Sequence, residues 1–232
     1  MGKQKIIVQS EENIAAVEAS FNEYIQQDHF PCVGARAAVA KRHAFLKVTG
    51  SIGSAIHDAE ILAAIYQFVD VYRKAVTGLY SITVIFPEYI TKSEDEFEIF
   101  VWQRLQALAD LDAQQYAYDS RVSSDASSVA FSFSLKEEAF YIIGLHPNSS
   151  RAARQFKYPA LTFNPHHQFV QLKQTGKYAA LKHVIQKNEM LFNGSINPML
   201  SDFGVAGEAQ QYTGKNYQGN MVCPLKMKHA KD

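Results

Sequence analysis

The run Ala139 to Leu145 (AFYIIGL) most constrains what this chain can fold into. It is apolar, short for a helix, and closed two residues on by Pro147, so it reads as a buried strand. Upstream, Val129, Phe131 and Phe133 alternate with small or polar residues. Leu135-Lys136-Glu137-Glu138 then turns that strand back onto Ala139–Leu145, giving an antiparallel hairpin. Downstream comes Gly144-Leu145-His146-Pro147-Asn148-Ser149-Ser150-Arg151-Ala152-Ala153-Arg154. An imidazole at a strand end, a Pro that stops the ladder, hydroxyls and two arginines form a compact kit for an anionic ligand or cofactor. The same residues also suit a Pro-initiated turn with solvated His and Arg side chains.

The rest of the chain supplies partners for that hairpin. Ile14, Val17, Phe21, Tyr24 and Ile25 recur at helical spacing, which predicts a helix over 11–27. The chain breaks at 29–36, and 43–49 reads as a strand. A helix over 57–76 follows, with Ile61, Ile65, Phe68, Val69 and Tyr72 on one face. Leu79 to Phe86 is β-branched and aromatic and stops at Pro87, the pattern of an internal strand. Ser93 and Glu96 form a capping box for a helix striped by Phe97, Phe100, Val101, Leu105, Leu108 and Leu111, with Trp102 packing beside the stripe. Pro159 to Phe163 is a short strand. Asn164 as N-cap with Pro165 at the first position predicts a helix over 165–173. Gly176 ends it, and a last helix covers 177–191 and closes at Gly194. From Ser195 to Pro224 no periodicity survives, and a long irregular segment in a compact domain points to function. Lys226–Lys231 reads as a basic tail. With no internal repeat or linker, the expected fold is one α+β domain over 1–232, with a mixed or mostly antiparallel sheet.

Charge excludes some partners. Lys plus Arg number 23 and Asp plus Glu number 23, so no net field favours nucleic acid or an anionic membrane. No run of about 18 apolar residues suggests a membrane helix, and the N-terminus lacks the apolar stretch of a signal peptide. The cytoplasm is the simplest expected location. Cys32 and Cys223 lie far apart with no CxxC pairing, which excludes a disulfide framework and a local zinc ribbon. Cys32 has Arg36 four residues on, which could lower its thiol pKa, or it is a small buried apolar residue. The adjacent pair His166-His167 cannot share a helix face. HExxH, GxGxxG, GxxxxGK[ST] and GxSxG are all missing, so zincin, dinucleotide, P-loop and serine-hydrolase readings lack support. Cys223-Pro224 is a dipeptide seen at some heme-contacting thiolates.

Three blocks carry a resemblance to a known family. They are Phe30-Pro31-Cys32-Val33-Gly34-Ala35; then Gly144 to Arg151 with Tyr158 to His166 and Gln168-Phe169; and Asn193 to Leu200 with Asp202-Phe203-Gly204, Glu208-Ala209 and Cys223-Pro224. Over about residues 20–225 the chain resembles the YqcI/YcgG family. Characterised branches of that family are heme-dependent monooxygenases that N-hydroxylate guanidine groups, as in guanitoxin and D-cycloserine biosynthesis. The resemblance implies heme b as cofactor, arginine or an arginine-like guanidine and O2 as substrates, and a separate electron-donating reductase. It implies an axial iron ligand, here His146, with His166 and Cys223 as alternatives. Arg151 and Arg154 would lie near the heme propionates, with Arg36, Asn148 and Ser150 beside the cofactor. Asp202 and Glu208 would be the carboxylates that hold the guanidinium. Segments 31–36, 144–154 and 197–224 would close over one pocket. A homodimer stays open, as do a heme-binding protein without oxygenase activity and a non-heme small-molecule binder.

Overall fold

The computed structural model describes residues 10–75, 77–197, 207–217, 219 and 221–228. Helices α1 (Glu11–Gln26) and α2 (Val33–Ala40) lead into strand β1 (Ala44–Val48). Helix α3 (Asp58–Arg73), strand β2 (Ser81–Ile85) and helix α4 (Glu94–Asp112) follow. Then come β3 (Phe133–Leu135), β4 (Glu138–Leu145), β5 (Ala160–Pro165), α5 (His166–Gln174) and α6 (Lys177–Asn193). The strands form one sheet in the order β1-β2-β5-β4-β3. β1 and β2 are parallel, joined through α3, and every other neighbour is antiparallel. The fold is a single α+β domain with a mixed sheet.

Local chemistry explains the boundaries. Ser93 Oγ accepts from Glu96 N at 3.1 Å to start α4, and Gly194 at φ 72° closes α6 in the left-handed region that glycine adopts freely. The β3–β4 turn places Lys136 and Glu137 at φ 53° and 55°, the two left-handed positions of a two-residue hairpin turn. Neither is glycine, and tertiary hydrogen bonds hold the turn. Arg73 Nη2 donates to the carbonyls of both, at 2.7 and 3.1 Å, and Lys136 N donates to Asp112 Oδ1 at 2.9 Å.

Three features differ from the sequence reading, the first being helix α2 (Val33–Ala40), which begins inside the stretch 29–36 read as a break and is capped by Cys32 Sγ accepting from Ala35 N at 3.3 Å. Asn164 and Pro165 do not start α5; both belong to β5, where Tyr141 pairs Asn164 and Phe140 pairs Pro165. Asn164 Nδ2 donates to Tyr141 O at 3.2 Å, so the ladder takes the side chain that was expected to cap a helix. Val129 is exposed and outside any strand, and Phe131 makes one isolated bridge with Ser123.

Alternation along the strands gives the sheet two different faces. Ile82, Val84, Leu161, Phe163, Phe140 and Ile142 face α3 and α4 and join the main hydrophobic core. Trp102 lies in that core, as packing would have it. The other face carries the intervening residues. At one end Val48, Ile85, Ala160 and Leu145 pack on Val17, Phe21, Tyr24 and Ile25 of α1. At the other end the same face turns polar, with Ser81, Thr83, Thr162 and Asn164, and there it borders a cavity.

Candidate functional site

The cavity encloses about 400 Å³. Its floor is the polar end of the sheet face together with Tyr141, Ile143 and Leu145 of β4. Phe21 and Ile25 of α1 wall one side. Pro31, Cys32 and Ala35 stand at the start of α2. Phe169, Val170 and Lys173 of α5, with Tyr178, Leu181, Lys182, Ile185 and Glu189 of α6, form the roof. The three segments expected to meet do so here. Cys32, Arg151 with Arg154, and Asn197 with Glu208 all line this one space.

The loop after β4 divides its residues between the two sides of the sheet. Leu145 faces the cavity, so alternation sends His146 to the opposite side. There its ring stacks on Phe97 of α4 at 4.2 Å between centroids, and it is 1% exposed. Neither ring nitrogen has a hydrogen-bond partner among the described residues. Burial, with the nearby Arg154 charge, depresses the imidazole pKa to about 4 despite Glu94. Asn148 Nδ2 donates to Thr91 O at 2.6 Å and Ser150 N to Glu94 Oε1 at 2.8 Å. Both contacts tie the loop to the start of α4. None of His146, Asn148 and Ser150 lines the cavity.

The chain then returns through a 3₁₀ turn, Ala152–Arg154, and brings the two arginines to the cavity. Arg151 pairs with Glu189 of α6 and donates to Ser195 O at 2.9 Å. Ala153 N donates to Asn193 Oδ1 at 2.9 Å, a second tie between this turn and α6. Arg154 is 7% exposed, and its guanidinium donates to Gly144 O at 2.9 Å and Gln211 O at 3.2 Å. No carboxylate among the described residues pairs with it. Burial lowers its pKa. A buried cation whose described partners are carbonyls can serve as a counter-charge for an anionic ligand group.

His166, the first residue of α5, lines the cavity. Its Nδ1 lies 3.6 Å from Glu208 Oε2 and 3.5 Å from Ser132 Oγ. Glu208 is 3% exposed and accepts from Ser132 Oγ at 2.7 Å and Tyr212 OH at 2.5 Å. It is placed there because β3 is only three residues long and leaves part of the β4 edge open. The 3₁₀ turn Glu208–Gln211 covers that edge, and Gly144 N donates to Tyr212 O at 2.6 Å. Gly144 allows this approach, since a Cβ there would stand 2.6 Å from Tyr212 O and 2.8 Å from Phe97.

Cys32 is exposed, but into the cavity, where its Sγ caps α2 by accepting from Ala35 N at 3.3 Å. The surrounding protein raises its thiol pKa, an effect partly offset by that hydrogen bond and one from Gly34. Cys223 sits elsewhere, packed on the main core, where burial pushes its pKa up to about 11. Arg36 also lies off the cavity, with its carbonyl accepting from Gln26 Nε2 at 3.0 Å. Asp202 lies outside the described residues. Sequence reasoning missed Glu189, Tyr141 and the polar floor. The floor had a signal: Ser81 and Thr83 alternate with Ile82 and Val84, and Thr162 and Asn164 with Leu161 and Phe163.

No group of three or more His, Cys, Asp or Glu among the described residues is arranged to hold a metal ion. An iron carried by a porphyrin needs only an axial ligand from the protein, together with apolar walls and donors for its carboxylates. His166 or Cys32, the Phe and Ile walls, and Arg154, which has no carboxylate partner among the described residues, are the kind of donor set such a group requires, so these residues fit a heme. Among the described residues no helix is long and apolar enough to cross a membrane.

Residues 21–226 match the YqcI/YcgG family. A protein of Bacillus subtilis (strain 168), described as "Uncharacterized protein YqcI", is 26% identical over 217 residues, covering 88% of this chain and 84% of the relative. No solved structure matches the chain.

Proposed function

The chain belongs to the YqcI/YcgG family, and on that premise we propose that it is a heme-dependent monooxygenase that N-hydroxylates the guanidine of arginine or an arginine-like small molecule. One observation carries the reading. An imidazole, a buried arginine with no carboxylate partner among the described residues and a largely apolar wall converge on a single cavity.

In this reading His166, not His146, would hold the iron, because His146 is turned to the far side of the sheet. Arg154 would offer its guanidinium to a heme propionate, with Arg151 beside it. Bound heme supplies the activation of O2, which with two electrons and two protons from a separate reductase gives the N-hydroxyguanidine and water. The chain's residues bind, orient and exclude water. The α5–α6 roof, tied down by Arg151–Glu189 and Ala153–Asn193, covers one side of the cavity. Glu189 lines the cavity as a carboxylate paired with the guanidinium of Arg151, so a substrate guanidinium that used it would have to share or displace that pairing.

The test is product formation. The purified chain reconstituted with hemin, given arginine, O2 and a chemical or enzymatic reductant, is expected to yield a species one oxygen heavier by mass spectrometry. A Soret band without that product from any guanidine would favour heme binding without oxygenase activity. A protein that stays colourless with ample heme would overturn both. A second reading, a non-heme small-molecule binder, is favoured by the hydroxyl and amide floor, since porphyrin faces prefer apolar contact and small polar ligands prefer hydrogen-bonding groups.

A further inference from the structure

Three oxidisable side chains connect the cavity with the outer side of α4. Tyr141 of β4 lines the cavity floor. Its ring centroid lies 6.4 Å from that of Tyr212, and Tyr212 lies 6.2 Å from Trp102 of α4. The row passes round the β4 edge that the short β3 leaves open and the turn Glu208–Gln211 covers. Trp102, the single tryptophan, ends it at a surface depression shared with Gln106, Asp110 and Leu225. Phenylalanine would serve packing alone, as it does at Phe133, Phe140 and Phe163 of the same core. Here each ring instead carries a polar hydrogen with an acceptor in place. Tyr212 OH donates to Glu208 Oε1 at 2.5 Å, Tyr141 OH donates to Gln211 Oε1, and Trp102 Nε1 donates to Glu98 Oε1 at 3.4 Å. Phe133 N donates to Tyr212 OH at 3.1 Å, so the phenol directs its own proton to the carboxylate. A phenol gives up an electron readily only when its proton can leave as well, and the short bond to Glu208 provides that exit.

We propose that Trp102, Tyr212 and Tyr141 form a relay that drains one-electron oxidising equivalents from the cavity to the protein surface, with Glu208 as the proton acceptor for Tyr212. The use of the relay rests on the heme monooxygenase reading; the coupling between the rings does not. The oxidant is the one that bound heme forms with hydrogen peroxide when no guanidine is present to consume it. Tyr141 gives it one electron and is refilled from Tyr212, because an amide oxygen such as that of Gln211 cannot keep the phenol proton. Tyr212 is left as a neutral phenoxyl radical and Glu208 as a carboxylic acid. Trp102 then passes one electron to Tyr212 and Glu208 returns the proton, so both regain their starting forms. An external one-electron donor such as ascorbate refills Trp102. The cavity oxidant has gained one electron and the donor has lost one, and the bond broken and remade is the O–H of Tyr212.

Pulse radiolysis of the full-length chain without heme tests the coupling. The azide radical, a one-electron oxidant, generates the indole radical of Trp102, which is followed by its absorption. Its decay is expected to match the rise of a phenoxyl radical, in a phase independent of protein concentration. Tyr212→Phe should abolish that phase. Glu208→Gln, which keeps the ring spacing but not the base, should slow it about 100-fold. Tyr217→Phe, which removes the other phenol bonded to Glu98, should leave it intact. An indole radical that decays only bimolecularly in the wild type, or a phase unchanged in a folded Tyr212→Phe or Glu208→Gln, would overturn the proposal. With hemin, hydrogen peroxide and ascorbate but no guanidine, the Soret band should bleach faster in Tyr212→Phe than in the wild type, and equal bleaching would overturn the draining role. Coupled rings in a chain that binds no heme would refute the heme reading and leave the coupling standing.

Discussion

The two faces of the central sheet are built from the same strands, yet they do different work. On the α3–α4 side Ile82, Val84, Phe140, Ile142, Leu161 and Phe163 are each 2% exposed or less and fill the space between layers. On the other side Ile85 and Ala160 pack under α1 at one end, but the remaining alternate residues of β2 and β5 are Ser81, Thr83, Thr162 and Asn164, and beyond them the layers do not close. Both faces are shielded by helices, so the difference is one of what must be accommodated. Close packing stabilises the first face, whereas the second gives up packing and keeps hydrogen-bonding groups against an open space. A central strand that carries hydroxyls toward a covering helix marks the binding side of the sheet.

Substitutions on β5 should separate the faces most strongly. Phe163→Ala, on the filled face, is expected to cost about 3–5 kcal/mol in denaturant unfolding. A cost under about 1 kcal/mol would mean that this face is not the close-packed one. His146 tests the same division through pH. Its pKa is about 4 in the folded chain against 6.5 normally. The unfolded chain therefore takes up a proton as pH falls through 6.5 while the folded chain resists until about 4. Stability is present above 6.5 and is lost on going down toward 4. Unfolding measured across that window should show a loss about 1–3 kcal/mol larger for the wild type than for His146→Asn. Equal slopes would place His146 in a solvated or ligand-facing position.

The smallest effect is expected on the cavity face. Thr83 and Thr162 share a hydroxyl contact at 2.9 Å, and replacing both with Val removes the pair together. Stability should change by less than about 1 kcal/mol, since both partners are removed at once. The affinity of the cavity's ligand should change measurably. A large loss of stability would make the pair part of the core and not of a binding floor.

Much of the fold was legible in the sequence because it is set locally. Helical stripes, the Ser93 cap and the glycine that ends α6 depend on residues within a few positions of one another, whereas the β3–β4 turn leans on Arg73 and Asp112 from distant helices. The site was legible only in part. Arg151, Arg154, His166 and Glu208 belong to motifs, and all four reach the cavity. His146, in the same motif as the arginines, does not, because its side is decided by strand parity and by which face α3 and α4 cover. That is a long-range packing outcome. Asn164 carried the sequence signature of a helix cap, yet ladder pairing with Tyr141 took precedence. The position of Glu208 depends on the short length of β3, which leaves an edge for the C-terminal segment to cover.

The central claim is that the binding chemistry lies on the polar face of the sheet, with His166 and not His146 as its imidazole. Hemin titration of the wild type, His166→Ala and His146→Ala, followed by absorption, tests it most directly. The account predicts a Soret band in the wild type and in a folded His146→Ala with the same position, and a lost or shifted band in His166→Ala. A spectrum unchanged by His166→Ala and abolished by His146→Ala in a folded protein would contradict it.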